Sequence, residues 1–231
     1  MIPILGMSTR PPLSSRIRAV MFDLDGTLID TMGGFADLAA EVMAKRLGLD
    51  LVLARRRYME TSGIPFRQQL EVIAPGGVHN QTSSDEFEER KRAVCDATSM
   101  DRETILGLEQ LRALGMKLIV SSNGAQHFVD DFARKETLAF DLVLGFDAAR
   151  DLAKGAPHVA RTRDHLGLAL TELLFVGDSL KDGELADACG IPFIGRTGTF
   201  TREDFLRRDP AGAAVDSILE LAQILRAKAA A

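Results

Sequence analysis

Cysteine and histidine are scarce in this chain, and neither is arranged to bind a soft metal. The two cysteines, Cys95 and Cys189, lie far apart in dissimilar contexts. They form no metal-ligand spacing, so both thiols read as reduced and structural. Four histidines stand at 79, 127, 158 and 165, and no pair has the acid-flanked i, i+4 arrangement of a zinc helix. No stretch approaches the ~18 uninterrupted apolar residues of a membrane-spanning helix. There is no internal repeat, and no low-complexity tract beyond the final Ala-Ala-Ala. Positive charge is not in excess either. With a net charge of −5, no sequence-wide field draws in nucleic acid or an anionic membrane. An anionic substrate must be met by local donors or by a metal ion.

What is present is an ordinary globular composition, 46% apolar and 26% charged over 231 residues. That length can bury one large core, or a core with a smaller lid. Met1 to Ser15 carries three prolines and only a short apolar start, without the long apolar segment of a secretory signal. Residues 1–16 read as a loose leader, with Met1 and Met7 equal candidates for the natural start, and a cytoplasmic location is expected.

The apolar run from Ile17 to Phe22 suits a buried strand of a parallel sheet. It ends abruptly at Asp23-Leu24-Asp25-Gly26-Thr27-Leu28. Two carboxylates then sit at the carboxyl edge of a strand, where open α/β sheets bind ligands. Gly26 permits the tight turn by which the backbone leaves the sheet. A lone Asp-x-Asp is no more than a turn signal; the whole string behind an apolar strand is more specific.

After Leu28 the pattern becomes helical. Phe35, Leu38, Ala39, Val42, Met43 and Leu47 keep an i, i+3, i+4, i+7 rhythm, with Gly33-Gly34 read as a hinge before the helix. Further helices are expected over 52–60, 66–73 and 84–97, the last opened by Ser-Ser-Asp-Glu as a cap. Breakers at Ser62-Gly63-Ile64-Pro65 and Ala74-Pro75-Gly76-Gly77 separate them. From about 31 to 98 there is no convincing strand. Alternation follows: helices over 102–114, 127–135, 157–166 and 183–189, and strands over 117–120, 142–144, 173–176 and 192–194. The tail over 213–228 reads as a short strand or turn and an amphipathic helix. Strands separated by helices imply a parallel, doubly covered sheet, an α/β fold.

Three other strand ends carry polar residues. One is Ser121-Ser122-Asn123-Gly124, where a hydroxyl and free turn N–H groups suit phosphate oxygens. Taken alone it is a turn. The second is Lys154, in Ala153-Lys154-Gly155-Ala156-Pro157 ahead of a helix; a single loop lysine is ordinarily a solvated charge. The third is Gly177-Asp178-Ser179-Leu180-Lys181-Asp182, whose acids also suit a helix N-terminus.

Together and in this order, the four segments resemble the motifs of the haloacid dehalogenase-like superfamily, its capped phosphatase subgroup. The resemblance implies a Rossmann-like parallel-sheet core over 17–30 and 99–231, with an inserted all-helical cap over 31–98. It implies Asp23 as nucleophile and Asp25 as acid/base. Phosphate oxygens fall to Ser121, more weakly to Ser122 and Asn123, and to Lys154. Magnesium falls to Asp23, Asp25 (through its main chain), Asp178 and Asp182. One departure stands out: Gly155 replaces the first Pro of the usual Lys-Pro-x-Pro, which is expected to relax the loop. The implied reaction is magnesium-dependent hydrolysis of a small phosphate monoester, phosphoglycolate-like by overall resemblance. A sugar phosphomutase is the nearest alternative, although Phe35 stands where such enzymes usually carry a His. A non-catalytic binding module of this fold is the alternative from another class. Ser62, Gly63 and Arg67 are candidates for substrate selection from the cap.

Overall fold

The structure is a computed structural model and describes residues 16–229; the expected leader lies outside these residues, apart from Arg16. Six parallel strands form one sheet in the order β3-β2-β1-β4-β5-β6. They are β1 (Ala19–Phe22), β2 (Lys117–Ala125), β3 (Leu142–Phe146), β4 (Leu173–Gly177), β5 (Phe193–Arg196) and β6 (Ala213–Val215). Every residue of β1 is buried, as expected for a central strand covered on both faces. Phe22 lies in register with Val120 on one side and Val176 on the other. The three strands therefore end together, and whatever follows them in sequence shares one edge. Strand order also reverses at β1, the switch point where such sheets open a crevice. On one face of the sheet Met21, Ile119, Phe175 and Phe193 form a continuous core.

The helices of this unit are α5 (Arg102–Ala113), α6 (Gln126–Lys135), α7 (Ala156–Leu166), α8 (Leu180–Cys189), α9 (Arg202–Arg208) and α10 (Ile218–Ala229). Helix α8 begins three residues before the expected start, because Ser179 and Asp182 form a capping box. Helix α9 was not expected at all. Its capping box of Thr201 and Asp204 is plain in retrospect, but a helix of seven residues carries too little periodicity to be seen. β2 runs on through Ser121-Ser122-Asn123-Gly124, with a register shift against β3 in place of the expected turn.

A second compact unit spans Ile29–Met100. It holds α1 (Met32–Leu47), α2 (Leu51–Glu60), α3 (Phe66–Ile73) and α4 (Asn80–Asp96) around Phe35, Val42, Met43, Tyr58, Phe66, Leu70 and Phe87. Gly33 and Gly34 lie inside α1 and are not a hinge before it. Packing gives the reason for Gly34: a Cβ there would meet Val94 Cγ1 of α4 at 2.8 Å. Helix α4 starts at Asn80, not at the serines. Asn80 donates to the Ala74 carbonyl at 2.8 Å and to Glu71 at 2.9 Å, tying the preceding turn down, while Ser83 and Ser84 are buried within the helix. Among the described residues no helix is long and apolar enough to cross a membrane.

Candidate active site

Asp23 is the residue at which β1 leaves the sheet. Its N–H still donates to the Val176 carbonyl of β4 at 2.9 Å. The chain then turns: Leu28 N–H donates to the Leu24 carbonyl at 2.9 Å, and Gly26 takes a positive φ of 78°. The carboxylate of Asp23 is left at the sheet edge, nearly buried. Asp25 follows, half-buried.

Two further strand ends aim at the same point. Asp178 and Asp182 follow β4, and an oxygen of each lies within 4.8 Å of one on Asp23 and of the other. Gly177 is required for this fold-back, because a Cβ there would collide with the Asp182 carboxyl. Lys154, four residues before His158 of α7, reaches in with its side chain only 2% exposed. Its ammonium lies 2.7 Å from Asp23 Oδ1 and 2.5 Å from Asp182 Oδ1, and 5.6 Å from the Phe175 ring centre. The other oxygen of Asp182 accepts from the N–H (3.1 Å) and hydroxyl (2.7 Å) of Ser179. Asp182 is thus held entirely by protein donors. Thr199, in the loop after β5, donates its hydroxyl to Asp178 Oδ2.

Burial opposes every charge in this cluster, and the partners decide the outcome. Burial raises the Asp23 carboxyl to about 7, with Lys154 pulling the other way and Asp182 adding to the rise. Burial, then the negative charges of Asp23 and Asp182, hold Asp178 well above the usual carboxylate range. Burial works against the Lys154 charge too, but Asp182 and Asp23 outweigh it, so the ammonium is held above its ordinary pKa. Three buried carboxylates face one ammonium. A divalent cation would bring such a set to neutrality, and an all-oxygen donor set suits a hard ion. The residues therefore fit a metal of that kind.

The strand-end serines divide differently from expectation. Ser121 is fully buried, and its Oγ lies 2.9 Å from Nδ1 of His158, also fully buried. The other imidazole nitrogen, Nε2, lies 3.1 Å from the Gly145 carbonyl, which can only accept. Burial, with help from the Lys154 charge, pushes the imidazole down to about 4. The ring is thus neutral with its proton on Nε2, and the Ser121 hydroxyl donates to Nδ1. That hydroxyl proton is committed to His158. Ser122 Oγ accepts from the Gly124 N–H at 3.0 Å, and its own O–H has no acceptor among the described residues. Asn123 is exposed.

The three cap candidates lie in the helical unit. Ser62 is buried, its hydroxyl without a partner among the described residues. Gly63 has a φ of 94°. Arg67 is engaged by Glu71 and, at 3.2 Å, by Gln81. Phe66, expected to give the loop an apolar face, is instead a core residue whose ring centre lies 4.3 Å from that of Phe87.

Gly155 does not relax the loop as expected. It holds φ 111° and ψ −137°, a conformation proline cannot reach. His158 and Thr199 were not foreseen, since nothing in the sequence links them to partners 37 and 21 positions away.

Comparison with known proteins gives the same picture. The haloacid dehalogenase-like hydrolase family matches residues 20–196. A phosphoglycolate phosphatase from Photorhabdus laumondii is 30% identical, over 78% of this chain and 80% of that protein. One from Chromobacterium violaceum is 28% identical, over 91% of this chain and 97% of that protein. Among solved structures, a haloacid dehalogenase-like hydrolase from Streptococcus pneumoniae has a TM-score of 0.76 at 21% identity, covering 91% of this chain and 99% of its own. A hydrolase from Pseudomonas syringae has a TM-score of 0.73 at 17% identity, with 91% and 98% covered. Those structures speak to the fold alone. The match across β1 to β5 and the relative at 30% identity speak to descent: this chain belongs to the haloacid dehalogenase-like hydrolase family.

Proposed function

We propose that this phosphatase hydrolyses a small phosphate monoester in two displacements, with Asp23 as nucleophile. The observation that carries the reading is the buried Asp23–Lys154–Asp182 arrangement beside Asp178 at the switch point of the sheet. Asp23 attacks phosphorus, forming an aspartyl-phosphate as the bond to the leaving alkoxide breaks. Asp25 gives that alkoxide a proton. It then takes a proton from the water that attacks phosphorus, which returns Asp23 to carboxylate and frees inorganic phosphate. Lys154 stays charged beside Asp23 and balances the phosphoryl oxygens. Ser122, whose hydroxyl proton is free to donate, is the better hydroxyl for those oxygens; Ser121 acts behind it.

Magnesium is the hard divalent ion that these oxygens suit. Asp23, Asp178 and the Asp25 main-chain carbonyl would hold it, with Asp182 acting through water because both its oxygens are already engaged. When bound, it supplies the positive charge that lets a carboxylate approach a phosphate ester. Phe35, at the position where a mutase usually places a histidine, is buried against Phe87 in the helical core, which favours the hydrolase.

A phosphoglycolate-like substrate agrees with what the curated relatives are named for. Cap residues Ser62, Gly63 and Arg67 are the proposed source of selectivity. The test is a panel of phosphorylated metabolites assayed with magnesium for phosphate release. 2-Phosphoglycolate is expected to give the highest kcat/KM. Strong preference for a sugar phosphate would reject that substrate, and inertness toward every ester would reject the phosphatase reading.

A further inference from the structure

Two full-buried polar residues outside the acidic cluster, His158 and Ser121, lie behind the groups proposed to grip the phosphoryl group. His158 is the third residue of α7, four beyond Lys154. Its ring touches two different strands at once, Ser121 of β2 through Nδ1 and Gly145 of β3 through Nε2. Gly145 is itself fixed. Its N–H donates to the Gln126 side chain at 2.7 Å, and a Cβ there would meet Gln126 Cα at 2.7 Å and the Gly124 carbonyl at 2.8 Å. β2 and β3 lose regular register in just this stretch, between Ser121 and Ala125. The ladder that normally fixes neighbouring strands is therefore interrupted where Ser122 has to be placed.

We infer that His158 is a positioning residue: by bridging Ser121 and Gly145 it sets where Ser122 and Lys154 stand relative to one another at the sheet edge. This rests on the proposed phosphatase reading for what those two residues do. His158 touches no reacting atom. It acts through the β2 end on one side and through the start of α7, which carries Lys154, on the other. Neutral imidazole suits the task because it is an acceptor at one nitrogen and a donor at the other, so a single ring satisfies a hydroxyl and a carbonyl. A buried imidazole with both nitrogens matched costs little; with either partner missing it would be an unsatisfied polar group.

Grip on the phosphoryl oxygens is made in the ground state as well as in the transition state, so its loosening appears mainly in KM. The experiment compares the wild type with His158→Phe, His158→Asn and Ser121→Ala, using p-nitrophenyl phosphate as substrate and inorganic phosphate as inhibitor. Phe keeps the ring shape and loses both bonds. Asn keeps an acceptor for the Ser121 hydroxyl. Loss of one to two hydrogen bonds corresponds to a rise of about 5- to 10-fold in KM and in the phosphate inhibition constant for His158→Phe. A smaller rise is expected for Ser121→Ala, and partial recovery for His158→Asn.

Long-range 15N spectra of the wild type at neutral pH are expected to show the Nε2–H tautomer for His158, a result that does not depend on any variant folding. A folded His158→Phe enzyme with unchanged KM and phosphate inhibition overturns the inference, as does an Nδ1–H or doubly protonated ring. A wild type inert toward every phosphate ester overturns the functional reading and this inference with it. That outcome is told apart because in the first case the wild type still turns over.

Discussion

Replacing Gly155 by proline would restore the residue that family members usually carry after the lysine, and it is expected to damage this enzyme. Gly155 holds φ 111° and ψ −137°. Proline fixes φ near −65°, so the backbone at 155 would have to rotate by nearly half a turn. Residue 154 would also be driven toward extended conformations. The ammonium of Lys154 now stands 2.7 Å from Asp23 and 2.5 Å from Asp182, in a pocket that leaves its side chain 2% exposed. Misplacement of a charged group by about 1 Å can cost on the order of 10²-fold in rate, and that is the expected fall in kcat/KM for Gly155→Pro. Alanine is the milder probe. Its Cβ would meet only Leu185 Cδ2, at 3.3 Å, so its effect isolates the backbone. Holding a residue other than glycine in such a region costs about 1–3 kcal/mol. For a chain of this size 2 kcal/mol corresponds to a fall of roughly 4–8 °C in Tm. Calorimetry and phosphate-release kinetics on the two variants are the assays. A proline variant as stable and as active as the wild type would refute the loop geometry and the account of Lys154 built on it.

Two further outcomes follow from the electrostatics. Asp178 has a folded-state pKa above its ordinary value, so its ionisation opposes folding once pH rises through that folded value. Asp178→Asn is therefore expected to raise Tm at pH ~8 in chelator while removing the stabilisation that magnesium gives the wild type; a lower Tm would contradict the repulsion argued for the cluster. His158 titrates at about 4 in the fold against 6.5 in its ordinary environment. Between those values the unfolded chain binds more protons, so stability is full above 6.5 and falls as pH drops. The loss is roughly 2–3 kcal/mol at pH ~4.5. Urea titrations of wild type and His158→Gln should converge by that amount on acidification, and parallel pH curves would refute the neutral buried ring.

The sheet and the acids at its edge were legible because each strand is a short apolar run cut off by a polar residue. Ile17 to Phe22 stops at Asp23, and Leu173 to Val176 stops before Asp178. Period and punctuation lie along the chain, where sequence reading works. Contacts across the chain were not legible. The Ser121 hydroxyl reads as a phosphate ligand until His158, 37 positions on, is seen to take its proton. Thr199 reaches Asp178 from 21 positions away, from a loop with no signal of its own. The glycines misled for a related reason. Gly34 looks like a helix breaker, yet close packing against Val94 holds it in α1; Gly155 looks like a loosened loop, yet its conformation is one that glycine alone adopts readily. In each case a tertiary neighbour decided what local propensity left open.

The claim on which the account turns is that Asp23 forms a covalent bond to phosphorus. Rapid acid quench during turnover of a radiolabelled phosphate ester, followed by borohydride reduction of the acyl-phosphate and peptide mapping, tests it directly. The account predicts label on the peptide containing Asp23, conversion of that residue alone to homoserine, and no label and no turnover in Asp23→Asn. Turnover at the wild-type rate in Asp23→Asn, or label that maps to any other residue, would contradict it.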